Sequence, residues 1–383
     1  LKLAFVGLTG LADPVRADVP AALARCYAAG IRTVMITGDY PGTARAIAHQ
    51  IGLANPELVT TGAEIGNMNE SELRERVARC NVFARVVPEQ KLRLVEALKA
   101  NGETVAMTGD GVNDAPALKA AHIGVAMGKR GSDVAREAAS LVLLEDDFAS
   151  MVEAVGLGRR IFDNIQKAMR YIVAVHVPTA GMALLPLVLG WPLVLYPVHI
   201  VFLEFVIDPA SSIAFEAEPA ERSVMTRPPR RASSRLFDAP TMIGALLQGV
   251  GILVVVATLY GAAIAHGTPE PAARAMAFTA MVLGNLGMIL VNRSRDATLR
   301  ETLRRPNPAT WWVVGGTLAG LALALYVPAA SEIFRFDALD AVQLLACVAA
   351  AGIGIAWLQF TNRLRWHNHA DGNPRTPLRG REE

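Results

Sequence analysis

Short apolar runs alternate with amphipathic stretches over roughly the first 150 residues, and much longer apolar runs follow. The strand-length runs are KLAFVGL, IRTVMITGD, NVFARV, ETVAMTGD, HIGVAMG and SLVLLE. Between them lie VRADVPAALARCYAAG, PGTARAIAHQIGL, ESELRERVARC, PEQKLRLVEALKANG and DAPALKAA, which read as helices. Strands that alternate with helices predict βαβ units and a parallel sheet. In such a sheet, chemistry collects at the carboxyl ends of the strands.

Beyond residue 164 the pattern changes. A helix of about 20 apolar residues spans a bilayer. Six stretches qualify, at 165–189, 192–214, 240–265, 273–292, 309–328 and 338–361. The chain therefore divides into an α/β domain at 1–150, a stalk at 151–164, an all-α membrane domain at 165–362 and a tail at 363–383. The loops at 216–238 and 293–305 and the tail are rich in arginine, whereas the opposite loops carry mainly Arg274 and Arg335. Basic loops stay inside, so the α/β domain and the tail are expected in the cytoplasm, with the plasma membrane as the expected location.

Composition adds little to this division. The 383 residues are 52% hydrophobic and carry a net charge of +2, which gives no reason to expect a nucleic-acid partner. Cys26, Cys80 and Cys347 form no metal or redox spacing, as in a reducing compartment. The opening LKLAFVGLTG lacks a basic leader and reads as the continuation of something longer.

Two strand ends match, MITGD at 35–39 and MTGD at 107–110. At the first, Thr37 offers a hydroxyl ahead of Gly38 and Asp39. At the second, TGDGVNDAP places Asp110 and Asp114 four residues apart on a glycine-rich turn, with Pro116 opening a helix. Gly109 and Gly111 let the backbone turn sharply and approach a ligand. Two carboxylates with water and a phosphate oxygen suit Mg²⁺. Lys91, after VPEQ, is able to place a point charge on that phosphate. A strand-to-helix turn alone explains ITGD, but it requires neither the two acids nor the asparagine of the longer motif.

Charges within the apolar spans also call for a function. Glu204 and Asp208 in VFLEFVIDPAS share one helix face. Each ionised acid costs about 3 kcal/mol at a bilayer centre, and intramembrane acids are usually functional. Pro209 and Pro178 loosen their helices so that carbonyls can turn toward an ion. His176, Thr179 and Asn285 are further polar groups at span depth; the alternative for Thr179 and Asn285 is helix packing.

MTGDGVNDAPALKAAHIGVAMG closely resembles the hinge motif of P-type cation-transporting ATPases. LADPVR (11–16), VMITGD (34–39) and FARVVPEQK (83–91) follow in that family's order. RRIFDNIQKAMRYI resembles the stalk of the fifth membrane helix, and VMTRPPR (224–230) the loop after the sixth. The resemblance implies a haloacid-dehalogenase-like fold, an aspartate phosphorylated by ATP, and six membrane helices equivalent to the fifth through tenth. By motif match, Asp110 holds Mg²⁺ with support from Asp114, Thr37 and Lys91 contact the phosphoryl group, and Asn113 hydrogen-bonds it. Asp13 and Arg16 belong to the hinge near the nucleotide domain.

The chain departs from the family in lacking the Asp-Lys-Thr-Gly-Thr motif of the phosphorylated aspartate, the Thr-Gly-Glu actuator motif and four membrane helices. The missing strand is central to the family's sheet, so its neighbours are expected to lack ladder partners. The resemblance therefore implies the C-terminal part of a pump that partners its N-terminal half. A non-catalytic half-pump or regulatory membrane protein is the alternative.

Calcium pumps of the family carry Asn and Glu where this chain has His176 and Thr179, Asn and Thr where it has Glu204 and Ile207, and Glu where it has Asn285. Asp208 is identical. Ca²⁺ is the favoured cargo, with Mn²⁺, Mg²⁺, H⁺ or a monovalent cation as alternatives.

Overall fold

The computed structural model describes residues 6–7, 14–204, 208–230, 236–294 and 298–370. It separates into two compact units. One runs to Gly158 and takes in the segment from Arg222 to Ser233. The other comprises Arg159–Glu221 and the chain from Ser234 onward.

The first unit is α/β, as the alternating pattern predicts. Its elements are α1 (Val19–Ala28), β1 (Met35–Ile36), α2 (Pro41–Ile51), β2 (Val59–Thr61), α3 (Gly62–Asn67), α4 (Glu70–Arg79), β3 (Val82–Ala84), α5 (Pro88–Ala100), β4 (Ala106–Gly109), α6 (Ala115–Ala120), β5 (Ile123–Met127), α7 (Asp133–Ala138) and β6 (Leu141–Leu143). Local chemistry sets many of the helix ends. Thr61 with Glu64 and Asn69 with Glu72 form reciprocal caps at the starts of α3 and α4. Gly52 closes α2 at φ 73°, a left-handed conformation that costs glycine little.

The strands form two three-stranded parallel sheets, ordered β1-β3-β2 and β4-β5-β6. Central β3 is buried along its whole length, as a strand covered on both faces should be. By contrast, β1 is half-buried, and β4 is half-buried apart from an exposed Ala106. Each therefore forms an edge of its sheet. A single apolar cluster built on Phe83, Leu94, Val95 and Ala117 reaches both sheets, with Ile36 and Met107 packed against it. Among the described residues, two three-stranded sheets thus share one core. The KLAFVGL run lies almost wholly outside the described residues.

The segment from Arg222 also packs within this unit. Met225 lies against the cluster of Ala22, Cys26 and Val152. Gly30 has φ 69°, and a Cβ there would stand 2.9 Å from Pro229 Cδ and 3.0 Å from the Pro228 Cα. The VMTRPPR motif thus seats its prolines on the turn after α1.

The second unit is helical. The long α8 (Phe148–Leu189) enters it and is followed by α9 (Pro197–Phe202), α10 (Asp208–Glu216), α11 (Ala239–Ala265), α12 (Glu270–Asn292), α13 (Leu299–Arg304), α14 (Pro308–Tyr326), α15 (Pro328–Phe334) and α16 (Ala341–Ala370). Among the described residues five helices are long and apolar enough to cross a membrane: α8, α11, α12, α14 and Ala341–Asn362 of α16. The window of α12 is 89% buried, against 28–39% for the others, so α12 is the centre of the unit.

The expected span at 192–214 is not one continuous helix among the described residues. Residues 191–196, which contain Pro192, belong to no helix; α9 starts at Pro197 and gives way to a π-helical turn at Leu203 and Glu204. The chain is helical again from Asp208. Pro192 and Pro197 have no amide proton to offer a preceding turn, which sets the late start. Single π turns concentrate at functional positions.

Candidate phosphoryl site and ion path

The two TGD motifs fold as strand-to-loop corners. After β1, Thr37 N–H donates to Phe83 O at 2.9 Å and Val86 N–H donates to Thr37 O at 3.1 Å. The loop is thereby pinned to the end of β3. Thr37 Oγ1 donates to Asp39 Oδ2 at 2.9 Å and accepts from Asp39 N–H at 3.1 Å, a local turn that leaves Gly38 and Asp39 exposed.

After β4 the geometry is tighter. Asp114 is buried, and its Oδ2 accepts from the Gly111 amide at 3.2 Å and more weakly from the Asp110 amide at 3.4 Å. Its Oδ1 lies 2.6 Å from Lys91 Nζ. A Cβ on Gly109 would stand 2.5 Å from Asp114 Cβ, so only glycine lets the carboxylate tuck under the turn. Asp110 and Asn113 are exposed. The Asp110 carbonyl accepts from Ser132 N–H at 2.8 Å, which fixes the backbone of the turn. Its carboxylate makes no hydrogen bond or ion pair among the described residues.

The sequence-predicted residues fall into two groups. Lys91, Asp110, Asn113 and Asp114 come together at the β4 corner. Thr37, Gly38 and Asp39 occupy the corner of the other sheet. Arg16 donates from Nη1 to the Asp146 carbonyl and so ties its loop to the end of the unit. Asp13 lies outside the described residues. Among the described residues no group of three or more His, Cys, Asp or Glu gathers as a metal site. The fit of Mg²⁺ rests on donor chemistry: Asp110 offers hard oxygens with no partner, whereas Asp114 is already committed to a cation and two amides.

In the helical unit, His176 and Glu204 approach each other, with Nε2 3.7 Å from Oε1. His176 Nδ1 lies 2.7 Å from the Ile172 carbonyl; that carbonyl only accepts, so Nδ1 carries the proton and Nε2 faces Glu204. Thr179 Oγ1 donates back to Val175 O at 3.1 Å, within its own helix. Pro178 sits inside α8 beside these groups. Glu204 is on the π turn. Asn285 is fully buried on α12, and neither of its amide atoms has a hydrogen-bond partner among the described residues. Such an amide usually finds a partner, because leaving it unpaired costs about 1–3 kcal/mol. The Asp208 side chain lies outside the described residues.

A further set of charges escaped the sequence reading. Glu221 takes Lys167 Nζ at 2.7 Å, Arg305 Nη1 at 2.8 Å and Ser294 Oγ at 3.1 Å. Glu218 takes Arg293 Nε at 2.8 Å and Asn307 Nδ2 at 2.7 Å. Both pairs are almost completely buried. Burial alone would raise the Glu221 carboxyl, but Lys167 and Arg305 hold it down to about 2. Acids set among so many basic residues, in EAEPAER, were the available signal.

Residues 192–364 match the family described as cation transporting ATPase, C-terminus. Residues 2–122 and 91–154 match two families described as haloacid dehalogenase-like hydrolase. Over 92% of its length the chain is 40% identical to a calcium-transporting ATPase of Listeria monocytogenes, covering 40% of that protein. It is 41% identical over 68% of its length to calcium-transporting ATPase 1 of Bacillus cereus, covering 30% of it. It is 33% identical over 98% of its length to calcium-transporting ATPase 1 of Schizosaccharomyces pombe, covering 42% of it. The chain thus spans less than half the length of these curated relatives.

Proposed function

Because the chain belongs to the P-type cation-transporting ATPases and includes their C-terminal region, we propose that it is part of an ATP-driven pump that moves a divalent cation, Ca²⁺ first, across a membrane. The observation that carries this reading is the β4 corner, where Lys91 and Asp114 form a buried pair beneath an uncommitted Asp110. In a haloacid-dehalogenase-like domain such a corner faces the phosphoryl group. The names of the relatives favour Ca²⁺.

The proposed roles are these. Asp110 would hold Mg²⁺, which neutralises charge on a transferring phosphoryl group. Asp114 is too buried to lead, and it fixes the turn from behind while orienting Lys91. The Thr37 hydroxyl and Asn113 would donate to phosphoryl oxygens, with Gly38 and Asp39 shaping the first corner. Asp13 and Arg16 would serve the hinge toward bound ATP. The phosphorylated aspartate would come on a parallel strand between β1 and β4, which are sheet edges among the described residues, from the part of the pump outside this chain.

The ion path is proposed at His176, Thr179, Glu204, Asp208 and Asn285. Glu204 supplies charge on a π turn, a backbone irregularity that recurs at functional positions. His176 Nε2 faces that carboxylate at 3.7 Å. Asn285 is an unpaired buried amide whose oxygen would ligate. Residues 1–150 would form the phosphorylation domain, 151–164 the stalk, 165–362 the membrane domain and 363–383 a tail, with the first and last in the cytoplasm.

The test is transport by the full-length protein in sealed vesicles. ATP-dependent accumulation of ⁴⁵Ca²⁺ that stops with Glu204→Gln supports the reading. Accumulation of another cation, with no Ca²⁺ uptake, would keep the pump and reject the cargo.

A further inference from the structure

The membrane unit carries an open groove of about 820 Å³ where α13 meets α14. Arg304 and Arg305 stand at one end, and Trp311, Trp312, Gly315 and Gly316 run from there along α14. Positions 311, 315 and 319 fall on one helix face, with 312 and 316 beside them. The groove is within the size range of ligand sites, about 300–1,000 Å³.

Its chemistry is graded along its length. Arg305 is committed to Glu221 through Nη1. Arg304 is exposed and has no hydrogen bond or ion pair among the described residues. The positive end of the α14 dipole lies at the same level, with Asn307 capping the Thr310 amide at 3.1 Å. Trp311 is 49% exposed and Trp312 82%. Amphipathic indoles at the end of a spanning helix mark the headgroup level of a bilayer. Beyond them, a Cβ at Gly315 or Gly316 would meet nothing within 4 Å. Among the described residues these glycines therefore serve no helix packing, and they leave a smooth apolar floor.

We propose that this groove binds an anionic glycerophospholipid of the surrounding bilayer. The phosphate pairs with Arg304 under the α14 N-terminus, the indoles flank the glycerol region, and one acyl chain lies over Gly315 and Gly316. Charge complementarity selects this occupant. Exposed apolar side chains elsewhere in the unit, such as Leu247 and Val254 on α11, are ordinary lipid-facing surface. The assignment rests on α14 crossing a bilayer and is independent of the pump's cargo.

The experiment uses the full-length protein reconstituted with brominated lipids, which quench tryptophan on contact. Subtracting a Trp311→Phe/Trp312→Phe variant isolates the two indoles. Dibromo-phosphatidylglycerol should reach half-quenching at a mole fraction at least threefold lower than dibromo-phosphatidylcholine. Arg304→Gln, at an exposed and unpaired position, should remove that preference while leaving quenching by the neutral lipid. Gly315→Leu, which fills the floor with Arg304 intact, should also reduce it. Soluble glycerol 3-phosphate should not compete. Equal quenching by the two lipids, a preference that survives Arg304→Gln, or relief by glycerol 3-phosphate would each overturn the assignment. Absence of quenching at both indoles would mean that another protein segment covers the groove, which also overturns it.

Discussion

Lys91 Nζ lies 2.6 Å from Asp114 Oδ1, so one ion pair links the helix after the first sheet to the turn after the first strand of the second. The pair is largely removed from water, with side-chain exposures of 21% and 8%. Lys91→Met leaves the Asp114 charge buried with only backbone amides to satisfy it. The expected loss of local stability is about 1.5–3 kcal/mol. Hydrogen exchange across residues 108–116 of the full-length protein should then accelerate by roughly tenfold to a hundredfold. Adding Asp114→Asn should cost less than the two single changes combined, because the partners act as one unit.

Glycines 109 and 111 should respond differently. A Cβ at Gly109 meets Asp114 Cβ at 2.5 Å, whereas at Gly111 the nearest atom is Asp114 Oδ2 at 3.6 Å. Gly111 also has φ −102°, which any residue adopts. Gly109→Ala should displace Asp114 at a cost of about 1–3 kcal/mol and depress phosphoenzyme formation at least tenfold. Gly111→Ala should retain most of it. Equal effects would mean that Asp114 does not need its tucked position.

Much of this was legible in the sequence, and the parts that were not share a cause. The β4 corner announces itself because GDGVNDAP asks for more than turn chemistry. The alternation of short apolar runs and helices gives the parallel sheets. The pairing of Lys91 with Asp114, 23 positions apart, depends on how two sheets share a core, which no local pattern encodes. Likewise Lys167, Arg293 and Arg305 read as ordinary basic loop or interface residues, yet they are committed to Glu218 and Glu221 inside the helical unit. The apolar run at 192–214 looks continuous by composition. Its prolines and the π turn at Glu204 divide it, and hydrophobicity alone is blind to backbone hydrogen bonding.

Glu221 gives a pH prediction. Its carboxyl is lowered from 4.5 to about 2, so its contribution is complete above about 4.5 and is lost as pH falls toward 2. Glu221→Gln leaves Lys167 buried beside a neutral group, and breaking such a pair costs about 3–5 kcal/mol. The variant should melt earlier at neutral pH, and the gap to the native protein should close on acidification through that window. A constant gap would mean that the carboxyl does not titrate with folding.

The ion path makes a separate prediction. Glu204→Gln removes one carboxylate proposed to hold the ion, so the cation concentration for half-maximal ATPase activity should rise about tenfold, equivalent to about 1.4 kcal/mol. Asn285→Leu, which keeps the volume and removes the unpaired amide, should raise it as well while the folded yield holds or improves. His176→Ala, which removes the imidazole that faces Glu204, should raise it by less. Unchanged ion dependence in Glu204→Gln and Asn285→Leu would make both groups structural.

The most direct test of the central claim is phosphorylation of the full-length protein with γ-³²P-ATP, quenched in acid, for the native sequence and for Asp110→Asn. Asp110 is exposed and its carboxylate makes no hydrogen bond or ion pair among the described residues, so its loss should leave the fold intact. The native protein should form an acid-stable, Mg²⁺-dependent phosphoenzyme that requires the transported cation. Asp110→Asn should form less than about a tenth as much at the same Mg²⁺ concentration, the loss of a group worth about 1.4 kcal/mol or more. Normal phosphoenzyme in Asp110→Asn, or none in the native protein under any cation, would contradict the account.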